Sequence, residues 1–339
     1  MDIEKIGVIG GGAWGTALAS LMANKGYDVT LWAYEKETVD AINQKHENTV
    51  FLPGIPLPES LKASNDMAHV VKNHQFLISS PPSHVARTIA RQLRPQIRKD
   101  HVIIIVSKGV ELSTLSLMSD VYAQELEHIP TVSVLSGPTF AEDVARGMPT
   151  GAVLACKNEE IAKSLQQILK VPHFRVYLSD DLAGVQIGGT VKNVIAIATG
   201  ISDGMGLGLS ARSAMICRGL AEMNRLGLVL GGKLETFAGM SGLGDLVLTA
   251  TGTLSRNYSL GHALGSGQSL EEYMSKKRSV AEGVVNAKSI KGLAEKYQVD
   301  MPISSAVYDI LYEGLTPRHA LQRLLERELP SREFEQINS

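Results

Sequence analysis

The chain has 339 residues, more than one typical core holds and comfortable for two domains. Hydrophobic residues make up 44% and charged residues 20%, an ordinary soluble balance that can bury a core without metals or disulfides. The formal net charge of −2 excludes bulk attraction to nucleic acid or to an anionic membrane, so any anion site must be local.

Met1-Asp2-Ile3-Glu4-Lys5 shows no basic leader and no cleavage-like site, so no signal peptide is expected and the expected compartment is the cytoplasm. Residues 5–9 form a short apolar strand. Residues 14–25 read as a helix stopped by Gly26, and 29–32 as a second strand. Further compact apolar runs at 76–79, 102–106, 131–135, 151–155 and 174–178 read as strands, with helical patterns between most of them. This alternation predicts an α/β fold with a doubly wound, Rossmann-type parallel sheet. Near Asp180 the character changes. Helical periodicity takes over at 182–202, 210–225, 246–251, 287–297, 304–312 and 318–326. The expected division is a dinucleotide-binding domain over 1–180, an all-α substrate and catalytic domain over 181–330, and a polar tail over 331–339. Residues 182–202 carry a single charge, Lys192, at mid-span, where lipid would tolerate it poorly; a helix buried in protein is expected instead of a membrane span.

Gly10-Gly11-Gly12-Ala13-Trp14-Gly15 matches G-x-G-x-x-G between the first strand and the first helix. Gly10 suits the tight turn, Gly12 lets backbone amides approach a pyrophosphate, and Gly15 lets helix pack on strand. An ordinary glycine-rich turn is the alternative, and the strand–turn–helix context weighs against it. The second strand ends Tyr34-Glu35-Lys36. Glu35 could hold a ribose, Tyr34 could stack on adenine, and Lys36 could meet a 2′-phosphate, so NAD and NADP both stay open. Ligands of open α/β sheets bind beyond the strand carboxyl ends. Lys108 stands at one such end. Gly137 and Thr139 stand at the next, in Ser136-Gly137-Pro138-Thr139-Phe140-Ala141, and Pro81-Pro82-Ser83 is expected to cap a helix.

Lys192 is the charge out of place. Its helix is apolar nearly all round, and lysine is seldom buried unless paired or functional. Gly188, Gly189 and Ala196 share its face and are expected to leave room for a ligand. Desolvation lowers a lysine pKa, which suits a group that gives and takes a proton. A snorkelling or structurally paired lysine is the alternative. Asp245 is a candidate orienter or a helix N-cap, and Thr249, one turn on, faces the same side. Arg256, with Ser255 and Asn257, suits a phosphate, although from the tripeptide alone a solvated surface loop is the stronger reading. The nine histidines show no metal-ligand spacing, and neither Cys156 nor Cys217 lies in a ligand-like pattern, so no metal is expected.

Together these stretches resemble the bacterial-type NAD(P)-dependent glycerol-3-phosphate dehydrogenases. The resemblance rests on 8–16, Ser107-Lys108-Gly109, 135–141, Gly188-Gly189-Thr190-Val191-Lys192-Asn193-Val194, 239–246, Ser255-Arg256-Asn257 and Glu282-Gly283. It implies reversible reduction of dihydroxyacetone phosphate to sn-glycerol 3-phosphate, feeding phospholipid synthesis, with Lys192 as proton acceptor in the oxidation direction. It places Lys108, Gly137, Thr139, Lys192, Asp245, Ser255, Arg256 and Asn257 around the substrate. Around the dinucleotide it places Ala13, Trp14, Tyr34, Phe51, Lys108, Ala141, Arg256, Val280 and Glu282. One departure stands at Tyr34, where the family often carries a basic residue or histidine. The competing readings are a related two-domain hydroxy-acid reductase and a non-catalytic dinucleotide-sensing protein. A homodimer is the base-rate expectation for the assembly.

Overall fold

A computed structural model describes residues 4–127, 132–275 and 281–328. Two compact units emerge, Met1–Glu111 with Ser116–Leu182, and Leu112–Leu115 with Ala183–Ser339. Val280, expected at the dinucleotide, residue 131 of an expected strand, and the polar tail 331–339 lie outside the described residues.

The first unit is built on an eight-stranded sheet. Its order is Phe174–Ser179, Thr150–Ala155, Val132–Ser136, Val102–Ile105, Phe76–Ser79, Lys5–Ile9, Asp28–Trp32 and Lys62–Ser64. The inner strands Phe76–Ser79 and Val102–Ile105 are buried on both faces, so they read as compact apolar runs. Lys5–Ile9 pairs with Asp28–Trp32 on one side and Phe76–Ser79 on the other, which makes its carboxyl end the point where the strand order reverses. The chain passes from there through Gly10 into the helix Ala13–Asn24.

The sheet departs from the expected all-parallel pairing once, where Val132–Ser136 and Thr150–Ala155 run antiparallel. Only the helix Ala141–Ala145 lies between them. Its five residues rise about 7.5 Å at 1.5 Å each, too little to carry the chain back along a strand about 20 Å long. Two small elements escape periodicity altogether. The edge strand Lys62–Ser64 is three residues long, and the hairpin of Glu47–Asn48 with Leu52–Pro56 carries a register shift between Glu47 and Asn48.

The second unit is helical. Leu182–Gly204 is long and apolar enough to cross a membrane by composition, and it is largely buried here. Leu209–Val229, Glu282–Tyr297, Pro302–Tyr312 and Pro317–Leu325 follow the expected periodic segments. Arg256–Gly265 is the longest of three helices that patterning missed in this unit, with Leu234–Ala238 and Leu270–Ser275, among the described residues. Its glycines depress helix propensity, yet they are what seats it. A Cβ on Gly261 would lie 2.1 Å from Ile197 O, and one on Gly265 would lie 2.2 Å from Ile201 O. The facing Gly200 and Gly204 have the same restriction, at 2.2 Å from Tyr258 O and His262 O. Two helix backbones therefore touch directly, and dispersion contacts replace what propensity lacks.

Glu222 ties two of these helices. From Leu209–Val229 its buried carboxylate accepts bonds from Ile303 N–H, Ser304 N–H (3.0 Å) and Ser304 O–H (2.7 Å), at the start of Pro302–Tyr312. Burial pushes this carboxyl up to about 7, against the bonds from Ser304 and Ile303 that pull it down. Glu222→Ala is expected to cost about 3 kcal/mol in chemical denaturation, because three buried donors lose their acceptor. A carboxyl raised in the folded state stabilises most below its unfolded value of 4.5 and loses that contribution as pH rises through about 7. Glu222→Gln, which cannot ionise, should flatten that part of the stability profile between about pH 5 and 8.

Candidate active site

In the first unit the glycine turn uses each glycine for a different reason. Gly10 has φ +121°, and a Cβ there would meet Ser80 O at 2.8 Å. At Gly15 a Cβ would lie 2.1 Å from Gly10 O, so the helix could not close on the turn. Gly12 differs: a Cβ there meets nothing within 4 Å. The chain itself does not need that position empty. The open space lies at the N-cap of Ala13–Asn24, where Gly12 offers no side-chain cap and the first amides of any helix lack intrahelical partners. An uncapped helix N-terminus under open space fits a pyrophosphate. Ala13 and Trp14 open that helix and are part-buried.

Phe51 is part-buried on the hairpin turn, whereas Tyr34 is 82% exposed. Glu35 takes the N-cap position of Lys36–Lys45 without a side-chain cap bond. At the neighbouring strand ends, Lys108 Nζ donates to Gly137 O at 3.3 Å, and Thr139 Oγ1 donates to the same oxygen at 3.2 Å. Gly137, at φ +156°, is pressed against Ala152, whose Cα would lie 2.8 Å from an added Cβ. Lys108, Gly137 and Thr139 thus form one cluster, with Ala141 beginning the next helix. Of the expected cap Pro81-Pro82-Ser83, Pro82 takes the N-cap position without a side-chain cap bond, and Ser83 is already inside the first turn, buried in Ser83–Val85.

In the second unit Lys192 is 6% exposed on Leu182–Gly204. Its Nζ donates to Asp245 Oδ1 at 2.5 Å and to Thr249 Oγ1 at 2.8 Å. Asp245 and Thr249 are 1% and 3% exposed. The Thr249 hydroxyl gives its proton to Asp245 O at 2.6 Å, which leaves its lone pairs for the ammonium. Asp245 is not an N-cap: it is the first residue of Asp245–Thr251, with Gly244 before it and no side-chain cap bond. A single π-helical turn, Met240–Gly244, delivers it.

That turn also corrects the reading of Gly188. A Cβ on Gly188 would lie 2.3 Å from Ser241 O, so its missing side chain makes room for the π-turn backbone and not for a ligand. Small size alone cannot distinguish those two uses.

Ser255 caps Arg256–Gly265 through a bond accepted from Tyr258 N–H at 3.2 Å. Arg256 is exposed at the first helical position, and Asn257 turns inward. Asn257 Nδ2 donates to Asn193 Oδ1 at 2.9 Å, and Asn257 Oδ1 accepts from Gly283 N–H at 2.9 Å. Asn193 Nδ2 reaches Glu282 Oε2 at 3.4 Å. Asn193, adjacent to Lys192, is the connecting residue that sequence reasoning passed over. The available signal was a polar amide directly beside Lys192 on a largely apolar helix.

The N-terminal model of the NAD-dependent glycerol-3-phosphate dehydrogenases matches residues 5–162, and the C-terminal model matches 181–322. A glycerol-3-phosphate dehydrogenase (NAD(P)+) of Geobacter sulfurreducens is 48% identical over 328 residues, covering 96% of this chain and 98% of the relative. One from Leptospira biflexa is 44% identical over 327 residues, with 96% and 98% covered. The crystal structure of glycerol-3-phosphate dehydrogenase from Coxiella burnetii superposes with a TM-score of 0.93 at 42% identity, covering 96% of this chain and 99% of that one.

Two substitutions probe the Lys192 cluster. Gly188→Ala should displace the π-turn and lower stability by roughly 2–3 kcal/mol, read by chemical denaturation. Thr249→Val removes an acceptor of the ammonium at nearly constant volume, and turnover should fall about tenfold with dinucleotide affinity unchanged.

Proposed function

The chain belongs to the NAD-dependent glycerol-3-phosphate dehydrogenase family and is an NAD(P)-dependent oxidoreductase, and on that premise we propose that it reversibly reduces dihydroxyacetone phosphate to sn-glycerol 3-phosphate with Lys192 as proton donor and acceptor. The observation that carries the assignment is the buried ammonium held between Asp245 and Thr249. Its place is set by two bonds from the helix Asp245–Thr251, so it needs no reorganisation when a substrate oxygen arrives.

The reduced dinucleotide, when bound, supplies the hydride to the carbonyl carbon. Lys192 Nζ stabilises the negative charge that develops on the carbonyl oxygen and passes it a proton, ending as the amine. In oxidation the amine takes the alcohol proton back. Burial disfavours the charged form of this lysine, and the Asp245 carboxylate favours it. Arg256 offers a planar fork to the substrate phosphate, at the N-terminus of the ten-residue helix that Ser255 caps and Asn257 fixes from within.

For the dinucleotide, the glycine turn with Ala13 and Trp14 suits the pyrophosphate, and Tyr34 and Phe51 are assigned to the adenosine side. Lys108, Gly137, Thr139 and Ala141 are assigned further substrate and dinucleotide contacts, as are Arg256 and Glu282. The same reading places the enzyme in the cytoplasm as a homodimer without membrane insertion, making the glycerol backbone of phospholipids. The burial of Leu182–Gly204 supports the absence of membrane insertion.

A steady-state assay tests the reading. Dihydroxyacetone phosphate should be turned over with NADH, NADPH or both. Turnover of a 2-keto acid without dihydroxyacetone phosphate would place the chain among hydroxy-acid reductases, and dinucleotide binding with no turnover would leave a sensor. Lys192→Ala should lower kcat by about 10³-fold with dinucleotide binding kept; near-wild-type activity would remove Lys192 from the mechanism.

A further inference from the structure

We infer that Asn48 is a positioning residue of the dinucleotide site, setting the Gly11–Gly12 peptide so that the Gly12 amide faces the pyrophosphate. The inference rests on the dinucleotide reading of the glycine turn and adds a residue that neither motif nor resemblance singles out.

Asn48 is fully buried, with 0% exposure, on the two-residue strand Glu47–Asn48. A buried amide is costly unless its bonds are made, and here they are. Asn48 Nδ2 donates to Gly11 O at 2.8 Å and to Thr16 Oγ1 at 2.8 Å. Asn48 Oδ1 accepts from Phe51 N–H at 3.0 Å, which fixes which end of the amide is the donor. The register shift between Glu47 and Asn48 is the kind of irregularity that re-aims a side chain.

The consequence follows from peptide geometry. Gly11 C=O and Gly12 N–H belong to one planar trans peptide and point in opposite directions. Holding Gly11 O toward Asn48 therefore turns Gly12 N–H away from the hairpin. Among the four glycines of the turn, Gly12 is also the one with nothing within 4 Å of an added Cβ. Glycine has the freest backbone of any residue, and Gly11-Gly12 would otherwise sample many orientations. Asn48 removes that freedom before a ligand arrives, so less ordering remains for binding to supply. Through its Oδ1 the same side chain anchors the hairpin turn that carries Phe51.

The test separates pyrophosphate recognition from general folding. ADP-ribose and adenosine are titrated by calorimetry into the wild type, Asn48→Ala and the isosteric Asn48→Asp. Asn48→Asp, which keeps an oxygen for Phe51 N–H but loses the donor to Gly11 O, should bind ADP-ribose about tenfold more weakly with adenosine affinity unchanged, and Asn48→Ala should lose more affinity for ADP-ribose than for adenosine. ADP-ribose affinity equal to wild type, or an equal loss for both ligands, overturns the inference while leaving the dinucleotide reading in place. Failure of the wild type to bind ADP-ribose overturns that reading, and this inference with it. Should neither variant fold, 15N-glycine-labelled wild type decides. The Gly12 amide resonance should shift on adding ADP-ribose and stay in place with adenosine; a resonance that ignores ADP-ribose overturns the proposed orientation.

Discussion

An ammonium taken out of water must be paired and hydrogen-bonded, or it discharges or unfolds its surroundings. Lys192 meets that constraint with a carboxylate and a hydroxyl from a single short helix, and much of the second unit's local architecture follows from it. Asp245 and Thr249 must lie one turn apart on Asp245–Thr251, because only that spacing puts both on one face. The π-turn Met240–Gly244 aims the helix, and Gly188 must lack a side chain to admit that turn. Asn193, next along the lysine helix, extends the same polar seam to Asn257, Glu282 and Gly283. A buried pair of this kind is weak evidence of added stability. It is better understood as fixed electrostatics, present before any substrate.

The first unit solves a different problem with backbone instead of charge. Its glycine turn offers amides at a helix N-terminus, and their direction is set from behind by Asn48. Gly10 and Gly15 are glycines because the fold leaves them no volume, whereas Gly12 is open to what lies outside the chain. Both units therefore prepare their polar groups by bonds within the protein, which is what an enzyme needs if binding energy is to be spent on the reaction.

The parts legible in sequence are those with strong local signals. Phe76–Ser79 and Val102–Ile105 are buried on both faces and announce themselves as apolar runs. Lys192 was visible because one charge interrupts an apolar helix, and Asp245 with Thr249 because their spacing is helical. What stayed hidden depends on contacts distant in sequence. Strand direction is not encoded in periodicity, so the antiparallel pair of Val132–Ser136 and Thr150–Ala155 was read as parallel. Arg256–Gly265 was hidden because Gly261 and Gly265 weaken the local helix signal while making the tertiary contact. Gly188 was misread because a missing side chain serves a ligand and a neighbouring backbone equally well on paper. Asn48 sits in a two-residue strand, too short for any pattern to mark.

The central claim is that Lys192 transfers the proton and Asp245 holds it ready as the ammonium. The pH dependence of dihydroxyacetone phosphate reduction, compared between wild type and Asp245→Asn, tests it most directly. Removing the carboxylate removes the charge that favours the ammonium. The alkaline limb of the variant's kcat/KM profile should therefore move to lower pH. An unchanged limb, with activity merely scaled down, would contradict the account and leave Asp245 as a packing residue beside a lysine that carries no proton.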